Sequence, residues 1–287
     1  MEQLIGVLFD GVAYGSLLFL VSVGLSVTLG LMNFVHLAHG VFAMLGGYLM
    51  VRSMALWGLS YWEALPLAFV GMAVLGAALE RLLYRHFYKA GPLDQTLLCI
   101  GIILIAMASA TYVWGPQQQS VMLPDRLRGN AELLGLSLGR LRLFVVAVVA
   151  LITLALAYLI ERTRFGAQVR AAVDNRDAAA GLGIGVDGLF TLCFALGTGL
   201  AGLGGALAAD VLGLDPSFPI KYMVYFLLVV AVGGAGTIKG PLIAGLLLGV
   251  CDVAGKYYVP EASAFAIYLM MVVLLIAFPA GLYGRRA

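Results

Sequence analysis

Leu143–Ile160 reads LFVVAVVALITLALAYLI, and Glu161–Gly188 then reads ERTRFGAQVRAAVDNRDAAAGLGIGVDG. The first stretch is 18 residues without a charge, close to the ~20 apolar residues that let a helix cross a bilayer. It does not alternate every second residue over ~10 positions, as a strand of a transmembrane barrel would. The second stretch holds seven of the 32 charged residues of the chain between Glu161 and Asp177. An apolar span that opens onto a concentrated polar island predicts an all-α, polytopic transmembrane bundle. The island is where something outside the membrane would grip it.

The whole composition agrees. Of 287 residues, 62% are hydrophobic and 11% charged, with a mean hydropathy of +1.02. Soluble domains carry about 25% charge, so this chain lacks the polar surface to cover a water-facing globule. No polar stretch is long enough to fold separately, and residues 1–287 read as one membrane domain. The net charge of +2 gives no reason to expect nucleic acid. Cys99, Cys193 and Cys251 are isolated among apolar neighbours and read as small buried hydrophobes, not as a disulfide or metal framework. The N-terminal MEQLIGVLFDG has no basic segment of a cleaved signal and reads as the lead-in to a permanent span.

Working outward, apolar runs at about 4–31, 41–57, 62–80, 95–114, 143–160, 189–209, 221–235, 241–257 and 263–280 predict nine spans, within a range of 8–10. The first run has 28 residues, and either a tight turn within it or a half-helix leading into a break would account for the length. Two stretches, 30–48 and 233–250, combine glycine with a fresh apolar run. Each reads as a break followed by a helix, the pattern expected of interrupted helices around a transport path. Close helix packing accounts for most of the 37 glycines. Lysine and arginine bias places the central loop, Arg81–Lys89, Lys239 and Arg285–Arg286 on the cytoplasmic side. The 115–142 loop, with four arginines, Pro116 and Pro124, reads as an irregular external loop.

Several chemistries are excluded. Gly183–Gly188, GIGVDG, matches a dinucleotide-binding spacing but follows no strand. There is no G-x-x-x-x-G-K-[ST]; Gly255–Lys256 is followed by Tyr257, so any ATP driving this chain binds another subunit. His36 and His39 have no acid or thiol beside them, a poor metal set. Hydrogen bonding to freed backbone at the break and lining of a substrate path both stand as their role. No nucleophile–base arrangement is visible. Asp252 and Lys256 are four apart and can pair on one helix face, but buried acids are too few for a typical proton-coupled carrier. In the central loop, Arg170–Val173 and Ala178–Ala180 favour helix, and Asp174 or Asn175 can cap a second short helix.

Three stretches carry a family resemblance. Gly30–Tyr48, GLMNFVHLAHGVFAMLGGY, is similar to the pattern G-[LM]-x-x-[IV]-N-[LF]-A-H-G-x-[FL]-x-M-L-G-A-Y, with matches at Ala38, His39, Gly40, Met44, Leu45, Gly46 and Tyr48. His36 stands where the family usually has Asn, and Gly47 where it has Ala. The central loop matches at Thr163, Gly166, Arg170, Ala171, Asn175, Ala178, Gly183 and Ile184. Val232–Gly245, VGGAGTIKGPLIAG, and the ending Pro279–Gly284, PAGLYG, complete the set. The chain resembles the smaller permease type of the branched-chain amino acid ABC importers.

The resemblance implies a bacterial inner-membrane protein that is not itself an enzyme. It implies a second related permease, two cytoplasmic ATPases carrying ATP and Mg, and a periplasmic binding protein. It implies import of branched-chain or related small amino acids by alternating access; urea, short amides or aromatic acids are the alternative cargo within the family. A self-sufficient channel or carrier, and a scaffold subunit without a pathway, are the readings from other classes. The substrate path would involve Asn33, His36, His39, Gly40, Gly233, Gly234 and Gly236. Coupling to the ATPases would involve Thr163, Arg164, Phe165, Gly166, Arg170, Ala171, Asn175, Ala178 and Gly183, with Phe165 or Ala171–Val173 buried in the ATPase groove.

Overall fold

Each apolar run forms a helix in the computed structural model, which describes residues 2–32, 34, 36–133, 136–278 and 281–283. In chain order these are α1 (Glu2–Met32), α2 (His39–Trp57), α3 (Tyr61–Leu79), α4 (Arg85–Phe87), α5 (Pro92–Trp114), α6 (Arg140–Arg162), α7 (Arg164–Asp174), α8 (Arg176–Gly181), α9 (Val186–Leu212), α10 (Phe218–Gly233), α11 (Lys239–Tyr258) and α12 (Ser263–Ala277). Among the described residues, seven helical segments are long and apolar enough to cross a membrane, and Phe218–Gly233 and Tyr268–Ala277 are shorter apolar helices. The nine expected runs are therefore seven full-length candidates and two short ones.

Local chemistry sets the ends. Ser60 and Glu63 form a capping box at the start of α3, with the Ser60 N–H donating to Glu63 Oε2 at 2.9 Å. Pro92 opens α5, where its missing N–H costs nothing. Gly58 stops α2 in the left-handed region at φ 64°. A π-turn, Glu80–Tyr84, joins α3 to α4. The long first run contains no turn: α1 is one helix of 31 residues, about 46 Å at 1.5 Å per residue. The 115–142 loop is not wholly irregular, since β1 (Asn130–Leu133) and β2 (Leu136–Gly139) pair as an antiparallel hairpin.

α9 lies at the centre and is buried over most of its length. Glycines let its neighbours touch its backbone. A Cβ on Gly24 of α1 would meet Gly197 O at 2.4 Å, one on Gly46 of α2 would meet Gly202 O at 2.4 Å, and one on Gly205 would meet Ala43 O at 1.9 Å. α1 and α11 meet the same way, Gly249 against Gly15 Cα at 2.4 Å. In lipid, where no hydrophobic force drives helices together, such close packing is the main attraction. α5 and α6 sit at the periphery with apolar side chains such as Ile105, Tyr112, Leu151 and Leu154 exposed.

Candidate functional site

One end of the bundle carries the polar island as two short helices, α7 and α8, seated on the rest of the chain. Thr163 builds the elbow that turns α6 into α7. Its Oγ1 donates to the Leu159 carbonyl at 2.5 Å and accepts from the Gly166 N–H at 3.3 Å. Gly166 is buried there, and a Cβ would lie 2.0 Å from Ile160 O. The Arg170 guanidinium donates to the same Ile160 carbonyl. Asn175 caps α8 by accepting from the Ala178 N–H at 2.9 Å, and Gly183, at φ 83°, ends it. Asp187 receives both Arg176, at 3.1 Å, and Arg85. Arg176 also lies over the Phe190 ring, 5.0 Å from its centroid.

A separate apolar cluster of Val169, Ala172, Ala179, Val186, Leu189, Phe190 and Cys193 holds the two helices down, with Phe165 and Ala171 packed against it. This changes one expectation. Phe165 and Ala172 are used by the chain itself, because the amphipathic face of α7 turns inward onto α9. The larger apolar side chains that α7, α8 and the turn after them leave exposed are Val173 and Leu182, 41% and 83% exposed. Arg164 and Ala178 are also exposed.

The two interrupted stretches meet at this same end. The Gly236 N–H donates to Ser26 O at 3.0 Å, and Ser26 Oγ donates to Thr237 O at 2.9 Å. Gly234 and Gly236 have φ of 94° and 78°; only glycine takes such values cheaply. Gly233 crosses Gly240 so closely that a Cβ on Gly240 would lie 1.9 Å from Gly233 O. A cleft of about 330 Å³ separates α7 from this break, with Gly30, Gly236, Thr237, Val173 and Asp174 among its walls. Lys239 at the start of α11 pairs with Glu161 at the end of α6, 3.4 Å apart.

His36 and His39 lie inside the bundle, 0% and 1% exposed, with ring centroids 5.6 Å apart. His39 Nε2–H donates to the Val21 carbonyl at 2.9 Å, so α2 begins level with the middle of α1. His36 Nε2 and the Tyr84 hydroxyl are 2.8 Å apart, and Phe34, Phe42 and Phe194 pack around them. Gly40 packs on Pro219 and Phe226. None of the five principal cavities among the described residues is lined by His36, His39 or Gly40. Asn33, Pro279, Gly284, Arg285 and Arg286 lie outside the described residues. Beside this cluster is a buried acid that sequence reading passed over. Glu80 accepts from the Tyr88 hydroxyl at 2.8 Å and from Thr191 Oγ1 at 2.6 Å. An acid inside the apolar run that ends α3 was its one sequence signal.

The opposite end holds a cleft of about 480 Å³ between α1, α6, α9, α10, α11 and α12. Asp252, buried at 1% exposure, pairs with Lys256 at 2.5 Å, as their spacing predicts. Asp10 and Arg142 form a second pair. Lys221 and four tyrosines, Tyr14, Tyr222, Tyr225 and Tyr268, complete the polar lining. Apart from the Asp252–Lys256 spacing and the run Lys221–Tyr225, nothing in the local sequence joins these residues; they come from five helices.

Comparison with known proteins gives a consistent result. Residues 7–277 match the family model described as branched-chain amino acid transport system, permease component. The chain is 26% identical to the high-affinity branched-chain amino acid transport system permease protein LivH of Escherichia coli (strain K12), over 97% of this chain and 94% of that one. It is 25% identical to the corresponding protein BraD of Pseudomonas aeruginosa, over 97% and 95%. It is 27% identical to the probable branched-chain amino acid transport permease protein LivH of Methanocaldococcus jannaschii, over 97% and 92%. No solved structure gives a significant match.

Proposed function

The chain belongs to the branched-chain amino acid transport permease family, and on that premise we propose that it is a membrane subunit of an ATP-driven importer of branched-chain or closely related amino acids. Family membership and, among the described residues, seven helices long and apolar enough to cross a bilayer support an inner-membrane location. A second related permease completes the pathway. Two ATPases with ATP and Mg dock on the α7–α8 end, and a binding protein delivers substrate to the other.

The observation that carries this reading is the join between the two ends. α7 packs beside α1, and the end of α1 is hydrogen-bonded to the glycine break before α11. α1 and α11 then run side by side, backbone against backbone at Gly15, Gly245 and Gly249, to the 480 Å³ cleft that both line. Packed helices shift as units rather than deform. A displacement of α7 by a nucleotide-driven partner therefore reaches the cleft through two helices, as alternating access requires. Arg170 holds the elbow through Ile160 O, so it positions α7; the outward contact falls to Val173, Leu182, Arg164 and the acids Asp174 and Asp177.

The test is a pull-down of the tagged chain from native membranes in mild detergent. Two P-loop ATPases and a second permease are expected, with association lost in Leu182→Asp and Arg170→Glu. Recovery of the chain alone, together with amino acid flux by the purified chain in liposomes, would replace this reading with a self-sufficient carrier.

A further inference from the structure

We propose that the cleft at the end opposite α7 and α8 is a binding site for a free zwitterionic amino acid, the first point on this chain that the incoming substrate occupies. The proposal rests on the transport reading above and adds the site and the chemistry of recognition. The cleft, at about 480 Å³, falls within the ~300–1,000 Å³ of small-molecule sites.

Its charges fit a zwitterion. Three cations, Arg142, Lys221 and Lys256, and two anions, Asp10 and Asp252, face one space. The Asp252 side chain is 2% exposed, whereas its partner Lys256 is 57% exposed on a flexible stem. A buried carboxylate on a membrane-spanning helix is costly and points to function. Its one ion-pair partner among the described residues can swing away. A substrate ammonium takes the place of the Lys256 ammonium on Asp252, and the released Lys256, with Lys221, receives the substrate carboxylate. Charge balance is kept throughout, because one ammonium replaces another and the excess cation meets the new anion.

The tyrosines supply the second half of the recognition. Lys256 Nζ already lies 5.3 Å from the Tyr14 ring centroid and Lys221 Nζ 5.3 Å from that of Tyr222. These faces attract cations and are positioned to hold a substrate ammonium. Tyr222 is fixed by donating its hydroxyl to Leu212 O at 2.8 Å. Tyr225 and Tyr268 continue the wall, with centroids 6.4 Å apart. Ala13, Leu17, Val145 and Val253 form the apolar part, against which an aliphatic side chain loses its contact with water.

The test uses the assembled transporter purified in nanodiscs, without its binding protein, and radiolabelled L-leucine. Leucine binds and unlabelled leucine displaces it; isoamylamine and 4-methylpentanoate, each carrying one of the two charges, compete at least tenfold more weakly. Equal competition by either analogue overturns the zwitterion assignment. Asp252→Asn lowers leucine affinity at least tenfold while both ATPases and the second permease still co-purify. The exchange of Asp252→Lys with Lys256→Asp restores an ion pair but not the order of charges, so uptake stays lost. Recovered uptake in that double variant assigns the pair to stability alone and overturns the proposal. Should the exchange prevent assembly, Lys221→Met decides: a tenfold rise in KM with Vmax kept supports the site, and an unchanged KM refutes it. Loss of the second permease from Asp252→Asn material makes the cleft a subunit contact and also refutes it. Failure of the wild-type chain to bring down any ATPase refutes the ATP-driven reading instead.

Discussion

Replacing Gly205 by alanine tests the packing that places α2 against α9. The new Cβ would lie 1.9 Å from Ala43 O and 2.4 Å from the Ala43 carbonyl carbon. These are backbone atoms, so no side chain can rotate away. Reaching an ordinary contact of 3.4 Å opens the crossing by about 1.5 Å, and a gap of ~0.5–1 Å already forfeits a quarter to a half of each dispersion contact. Phe42 and Met44 are fully buried on α2; losing that share of their packing costs on the order of 3–4 kcal/mol together. Alanine returns up to ~1 kcal/mol of helix propensity. The net loss is about 2–3 kcal/mol, a Tm lower by roughly 5–10 °C, read by thermal unfolding of the purified protein in detergent. Gly101→Ala is the matched control, because Gly101 is also inside a helix and its Cβ would meet nothing within 4 Å. Its Tm should equal the wild-type value or exceed it. A Gly205→Ala Tm equal to that of Gly101→Ala would refute the reasoning.

Three further outcomes follow from particular contacts. Glu80→Ala leaves the Tyr88 hydroxyl without its carboxylate acceptor, at about 1–3 kcal/mol, while Thr191 Oγ1 keeps the Asp187 carbonyl at 3.1 Å; adding Tyr88→Phe should recover part of the lost Tm, and no recovery would count against the contact. Asn175→Ala removes the cap of α8, worth about 1 kcal/mol; hydrogen exchange over 176–181 should quicken while α9 stays protected. Gly30→Ala drives a methyl to 2.2 Å from Gly236 Cα and should abolish uptake without loss of membrane insertion, whereas Gly188→Ala, which meets nothing within 4 Å, should transport normally.

Much of the candidate site was legible along the chain where its chemistry is local. Asp174 or Asn175 reads as a cap because a side-chain oxygen at a helix start satisfies an N–H two or three residues on, and the structure gives that role to Asn175; the cap at Thr163 emerged only from the structure. Asp252 and Lys256 read as a pair because four residues make one helical turn. The glycine breaks at 30–40 and 233–240 were visible because glycine clusters interrupt apolar runs there. Their contact with each other was not visible, since it joins Ser26 to Gly236 and Thr237 across the bundle. Phe165 and Ala172 show the other limit: an amphipathic face says that something covers it, and only packing shows that the cover is the chain's own α9.

The sequence by itself determined the helices, their approximate bounds and the polar island. Each backbone N–H and C=O in lipid must be satisfied within its own segment, so an apolar run of bilayer length has one structure open to it. Tertiary structure alone decided which glycines face which backbones, that α1 runs unbroken for 31 residues, and that Asp10, Arg142, Lys221, Asp252 and four tyrosines share one cleft. Those outcomes depend on how helices far apart in the chain settle against one another. Close packing, not hydropathy, sets that arrangement, and a hydropathy pattern carries no record of its partner's surface.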